Sequence, residues 1–310
     1  MNNKDGQIGI FYAGLSYLIW GILPIYWKLL DHVDSDEILA NRIFWSFIFM
    51  ILVLLFSRKW EAFIQTIKNL RTNKNELYAL VAASLFISCN WFLYIWAVNH
   101  NHLIEASLGY YINPLVSVLL GMIFFREKLS PVQYVSFLMA LFGVLILTIS
   151  YGKFPWISVI LALSFGFYGL LKKMVKVDSA IGLTLETFIV TPISLAYILF
   201  LFIKGNQSLL SISIETDLLL MGAGAATAVP LLYFAKGAQK IPMATLGILQ
   251  FIAPTLTLIL GVFFYNEHFS KIHFISFLFI WTAIILFSIS KTKSYHQLEM
   301  KWRKGKSVGA

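Results

Sequence analysis

Apolar residues run along this chain in long unbroken blocks rather than in the one-sided stripes of a water-facing helix or strand. The blocks fall at 8–29, 37–57, 76–99, 104–125 and 131–150, then at 154–172, 181–203, 216–236, 243–265 and 271–290. Each is long enough, as a helix, to cross roughly 30 Å of hydrocarbon. Lipid leaves only helices and closed barrels as spanning structures, because every backbone polar group must be satisfied internally. The pattern therefore predicts an all-α polytopic membrane protein of ten transmembrane helices, with tight hairpins at 100–103 and 126–130. Composition agrees: 59% of the 310 residues are hydrophobic and 13% charged, with a mean hydropathy of +0.77. A soluble domain runs nearer about 45–50% apolar and about 25% charged.

Charge gives the orientation. With the N-terminus in the cytoplasm, all of the 24 Lys and Arg residues fall on the cytoplasmic side except Lys28, Arg42, Lys153, Lys204 and Lys271. That is the positive-inside bias, so both termini are predicted to be cytoplasmic and the first block to be a retained span. The net charge of +9 is then topological, its partner anionic membrane lipid rather than nucleic acid. One cysteine, Cys89, excludes a disulfide framework and a Cys-based zinc site. No phosphate loop, HExxH or nucleophile elbow occurs, which argues against an enzyme and against a cofactor. His100 and His102 read as a water-facing loop rather than a metal site.

The chain also repeats itself. A slide of 140 residues lays 114–147 on 254–287 and matches Pro114 with Pro254, Gly121 with Gly261, Glu127 with Glu267 and Ser130 with Ser270. Slides of 139 to 145 bring Tyr94 onto Tyr233 and Gly21 onto Gly166. The predicted units are 1–150, 151–290 and a basic tail, 291–310. Five spans per unit is an odd number, so the second unit must lie inverted, as in many secondary transporters.

Three stretches carry a family resemblance: "YLIWGILPIYWK" at 17–28, "DEILANRIFWSF" at 36–47 and "NWFLYIWAVNHNHLIEASLGYYINPLVSVLLGMIFFREKLS" at 90–130. With "PLLYFAKGAQ" at 230–239 and "TLGILQFIAPTL" at 245–256, they resemble the RarD branch of the EamA group in the drug/metabolite transporter superfamily. The resemblance implies a bacterial cell-membrane protein of two five-helix repeats, with spans 1, 3, 4, 6, 8 and 9 walling a central site. It also implies export of small metabolites or drugs, driven by a gradient of protons or of the substrate itself. Members of the branch carry the label "chloramphenicol-sensitive protein". Substrate identity does not follow from membership.

Polar and aromatic residues near mid-depth are the candidates for that site. Trp20, Asn90, Trp91, Tyr94, Tyr110, Tyr111 and Asn113 come from the first half, and Tyr168, Thr227, Tyr233 and Gln250 from the second. Two readings stand for the amides: cavity lining, or interhelical bridges of about 0.6 kcal/mol each. Prolines 24, 114, 192, 230 and 254 free backbone carbonyls that a cavity can solvate. The intramembrane charges suggest two layers of gating or coupling: Arg42 with Glu105 on the outside, and Glu186 with Lys172 or Lys236 on the inside. A carboxylate that loses its basic partner in a dry site takes up a proton more readily, which makes protons the candidate coupling ion. Static pairing at helix ends is the other reading. A secondary-active carrier with an aromatic and amide lining fits the whole pattern. A passive channel or facilitator is the alternative.

Overall fold

The computed structural model describes residues 3–100, 102–264, 270–291 and 295. These residues form twelve helices: α1 (Asn3–Lys28), α2 (Ser35–Phe56), α3 (Trp60–Thr72), α4 (Lys74–Asn99), α5 (Leu103–Phe124) and α6 (Pro131–Tyr151), then α7 (Trp156–Met174), α8 (Ser179–Lys204), α9 (Ile214–Ala238), α10 (Met243–Gln250), α11 (Ile252–Phe264) and α12 (Lys271–Ser290). Ten spans of membrane length and apolarity result, with α10 and α11 together forming one, Met243–Phe264. Glu267 and, apart from Lys291 and Tyr295, the basic tail lie outside the described residues.

Two elements differ from the apolar-block reading. The stretch between the second and third spans is not a plain loop: α3 is a short amphipathic helix that buries Phe63 and Leu70. Their spacing of seven residues is a helical stripe too short and too polar to register as a span. The ninth span is split at Phe251, three residues before Pro254, which has no N–H to offer the Gln250 carbonyl four residues back. Its repeat mate Pro114 lies within a continuous α5, where the same deficit falls on the Tyr110 carbonyl.

The inverted relationship is visible in matched contacts. A Cβ on Gly21 of α1 would meet Leu256 of α11, and one on Gly166 of α7 would meet Val116 of α5. Leu256 and Val116 are themselves related by the slide of 140. Likewise α1 packs on α9 and α11 while its counterpart α7 packs on α4 and α5, and α6 pairs with its own counterpart α12. The same capping device starts both members of that last pair. Ser130 accepts from the Gln133 backbone N–H, and Ser270 from that of His273.

One end of the bundle, the termini face, gathers the start of α1, the end of α12 and four connections. One tie between the halves closes it, Lys59 to Asp178 at 2.6 Å, and two more hold the second half together there: Ser179 to Gln239 at 3.1 Å, and Lys173 to the Ala238 and Ile241 carbonyls. Glu127 accepts from the Met243 and Ala244 N–H groups at 2.7 and 2.9 Å, capping α10 where the helix dipole favours an anion. At the far face, buried Glu37 accepts from the Ser208 and Leu209 N–H groups at 2.8 to 3.1 Å. Both acids are therefore structural: Glu127 caps a helix and Glu37 holds the turn between α8 and α9.

Candidate functional site

Arg42 is the centre of the candidate site. It lies two turns into α2, held there because α2 and α9 approach with almost no gap. A Cβ on Gly224 of α9 would overlap the backbone of Trp45, and the Ser46 hydroxyl donates to the Gly224 carbonyl at 2.9 Å. That close approach sets Arg42 Nε 3.1 Å from the Thr227 hydroxyl oxygen. The guanidinium carbon lies 4.9 Å from the ring centre of Trp27 and 5.3 Å from that of Trp91, within the range of cation–π attraction. Tyr94 and Tyr110 are near enough to interact with the charge, and their rings meet edge to face at 5.8 Å.

Side chains from α1, α4, α5 and α9 thus surround Arg42 of α2 in a partly open cluster, the candidate cleft. Arg42, Trp27, Trp91 and Tyr94 are partly exposed, and Tyr110 is 48% exposed. Trp91 also borders a small chamber toward the termini face, which Ile87, Leu183, Glu186, Thr187 and Leu231 help to line. Trp91 thus stands between the Arg42 cleft and the Glu186 end.

The outer layer expected from the sequence does not form. Glu105 is not Arg42's partner; it accepts from the Tyr151 hydroxyl at 2.7 Å and the Ile157 N–H at 3.3 Å, with His102 at 3.2 Å. Glu105 starts α5, and its helix points it at the start of α7 rather than into the cleft. Among the described residues no carboxylate reaches ion-pair distance of Arg42. At the other end, Glu186 meets Lys172 at 2.8 Å and accepts from the Tyr168 hydroxyl at 3.3 Å. Lys236 does not join them. It lies over the rings of Tyr12 and Tyr233, 5.3 and 5.8 Å from their centres.

Several candidate lining residues are spent on packing instead. The Asn90 amide donates to the Leu161 carbonyl and the Ser164 hydroxyl, both at 2.9 Å, tying α4 to α7. Gln250 exchanges hydrogen bonds with Ser117 and ties α10 to α5. Tyr111, one residue from Tyr110, turns the opposite way and packs on Phe277 of α12. Tyr168 is fully buried and stacks on Phe234, which also meets Trp20. Tyr233 stacks on Tyr12. Asn113 is buried, and its amide oxygen has no partner among the described residues. His100 and His102 both stack on Trp96.

Trp27, beside Arg42 in the candidate site, is missing from the candidates that the sequence suggests. A signal exists. The slide of 145 that superposes Gly21 on Gly166 also superposes Trp27 on Lys172, and the slide of 144 that superposes Ser35 on Ser179 superposes Arg42 on Glu186. Arg42 and Glu186 are equally far from the first residues of α2 and α8. The two pairs are inverted counterparts at opposite ends of the bundle.

Comparison with known proteins agrees with this architecture. The sequence profile of the EamA-like transporter family matches residues 7–149 and again 155–289. A Bacillus subtilis protein described as "Uncharacterized transporter YojE" is 50% identical over 294 residues, 94% of this chain and 97% of that one. "Protein RarD" of Escherichia coli is 38% identical over 287 residues, 93% and 96% of the two chains. The "Chloramphenicol-sensitive protein RarD" of Pseudomonas aeruginosa is 28% identical, covering 91% and 93%. A solved crystal structure superposes with a TM-score of 0.68 at 18% identity over 90% of this chain and 96% of that one, a likeness of fold alone.

Proposed function

Because this chain belongs to the EamA-like transporter family, we propose that it is a secondary-active carrier that moves a small organic solute by alternating access through the Arg42 cleft. The observation that carries the reading is a partly exposed cation among four aromatic rings, with the counterpart position in the inverted half closed by the Lys172–Glu186 pair. Inverted units can exchange such open and closed arrangements at similar energy. Exchange would part Lys172 from Glu186, and a lone buried carboxylate favours its protonated form. That is the route by which a proton would couple to the movement. The positive-inside bias puts both termini in the cytoplasm, and the habit of the family makes the direction export.

A channel would use the same lining without a moving ion pair. Efflux of a metabolite panel from proteoliposomes distinguishes the two. The carrier gives saturable flux that rises when the same solute is supplied on the opposite side. Flux that is linear in concentration and indifferent to solute on the opposite side would make the protein a channel. Chloramphenicol belongs in the panel because a relative's name carries it.

A further inference from the structure

The two charged positions related by the inverted repeat are unlike in one respect. Glu186 has its own counterion in Lys172, at the place where the first half has Trp27. Arg42 lies over the rings of Trp27 and Trp91 and has Thr227 on Nε, but no carboxylate at ion-pair distance among the described residues. The Glu186 site is internally neutral and the Arg42 site carries one net positive charge. An intramembrane cation is costly to maintain, and a partly exposed guanidinium with a hydrogen-bond partner on Nε alone among the described residues is a ready-made fork for a carboxylate.

We propose that the cleft binds an organic monoanion, its carboxylate on Arg42 and its apolar or aromatic body against Trp27, Trp91, Tyr94 and Tyr110. This deepens the carrier reading and rests on it only for the movement of the bound solute across the membrane. A single negative charge fits better than a phosphate dianion, because Arg42 is the one cation among the described cleft residues and a second charge would remain uncompensated in a low-dielectric site. A zwitterion fits less well than a monoanion, since the described lining has no carboxylate for an ammonium group. An amino-acid-like solute is therefore disfavoured relative to its deaminated acid.

The test uses the purified full-length chain in nanodiscs and three matched probes: 3-phenylpropionate, 3-phenylpropionamide and L-phenylalanine. Inorganic phosphate is the fourth. The acid is expected to raise the melting temperature in a saturable way, by mass action on the folded state, and the other three are not. Arg42→Gln should weaken binding of the acid at least about tenfold, and Arg42→Lys should weaken it less, since lysine keeps the charge but loses the planar fork. Equal stabilisation by the amide, by phenylalanine or by phosphate overturns the proposal. So does undiminished binding of the acid by Arg42→Gln, or no stabilisation by the acid at all. If Arg42→Gln does not fold, the wild-type probe series and Arg42→Lys decide the matter. Failure of the carrier reading looks different: Arg42-dependent binding of the acid with no movement across proteoliposomes. Saturable transport of a neutral solute without competition from the acid would sink the anion assignment and leave the carrier standing.

Discussion

The Lys172 ammonium and the Glu186 carboxylate lie 2.8 Å apart with only 4% and 5% of their side-chain surface exposed. Such a pair contributes little net stability, because removing two charges from water offsets most of their attraction. Its significance is asymmetric: each member is tolerable only while the other is present. That is a suitable property for a contact that opens and closes during a transport cycle. It also makes the pair fragile to single substitution.

Glu186→Gln should therefore destabilise the protein by on the order of 3–5 kcal/mol, since it strands Lys172. The double substitution Glu186→Gln with Lys172→Met should recover most of that loss. Thermal unfolding in detergent of these two variants and of Lys172→Met alone measures the coupling. Additive effects would mean that the two side chains do not depend on each other.

Gly224 should accept no side chain. Gly224→Val would force α2 off α9 against the Trp45 backbone and draw Arg42 away from Thr227. The expected loss is about 1–3 kcal/mol of stability, as for other overpacked contacts, together with a large loss of solute binding. Wild-type affinity in a folded Gly224→Val would show that the α2–α9 approach does not position Arg42.

Asn90 should behave as a bridge and not as a binding residue. Asn90→Leu removes its bonds to Leu161 and Ser164, a loss of about 0.6 kcal/mol on average for interhelical hydrogen bonds in membranes. Tyr110→Leu should do the reverse, leaving stability nearly unchanged and raising KM. Transport kinetics beside melting curves for both variants check the assignment. A raised KM for Asn90→Leu at unchanged stability would return that residue to the cleft.

Asp178 supplies a pH dependence at the termini face. Burial raises its pKa, but Lys59 and the N–H groups of Ala180 and Ile181 more than offset this and hold it below the ordinary 3.8. A depressed carboxylate pKa contributes stability above the unfolded value and loses it as pH falls below 3.8 and through the folded value. Both side chains are over a third exposed, so the contribution is under about 1 kcal/mol. Asp178→Asn should keep the helix cap, lose the ion pair and show a shallower fall in melting temperature across that window. Identical slopes for the variant and the wild type would remove Asp178 from the acid response.

Much of this protein is determined before any tertiary contact is considered. Lipid forces a backbone to satisfy itself locally, so ten apolar blocks become ten helices wherever they pack. An odd number of spans per repeat makes the second unit inverted. Pro114 with Pro254, and Gly21 with Gly166, carry that repeat in the sequence alone. Which way a side chain turns was decided by packing. Tyr110 and Tyr111 are neighbours on one helix, yet one faces Arg42 and the other Phe277. Glu105 and Arg42 share a face of the bundle, yet only the path of α5 past α7 determines that Glu105 caps a helix and leaves the arginine without a counterion among the described residues. Depth along a helix follows from counting residues at a fixed rise; azimuth depends on how the neighbouring helices approach, and in a chain apolar on all sides no hydrophobic stripe records it.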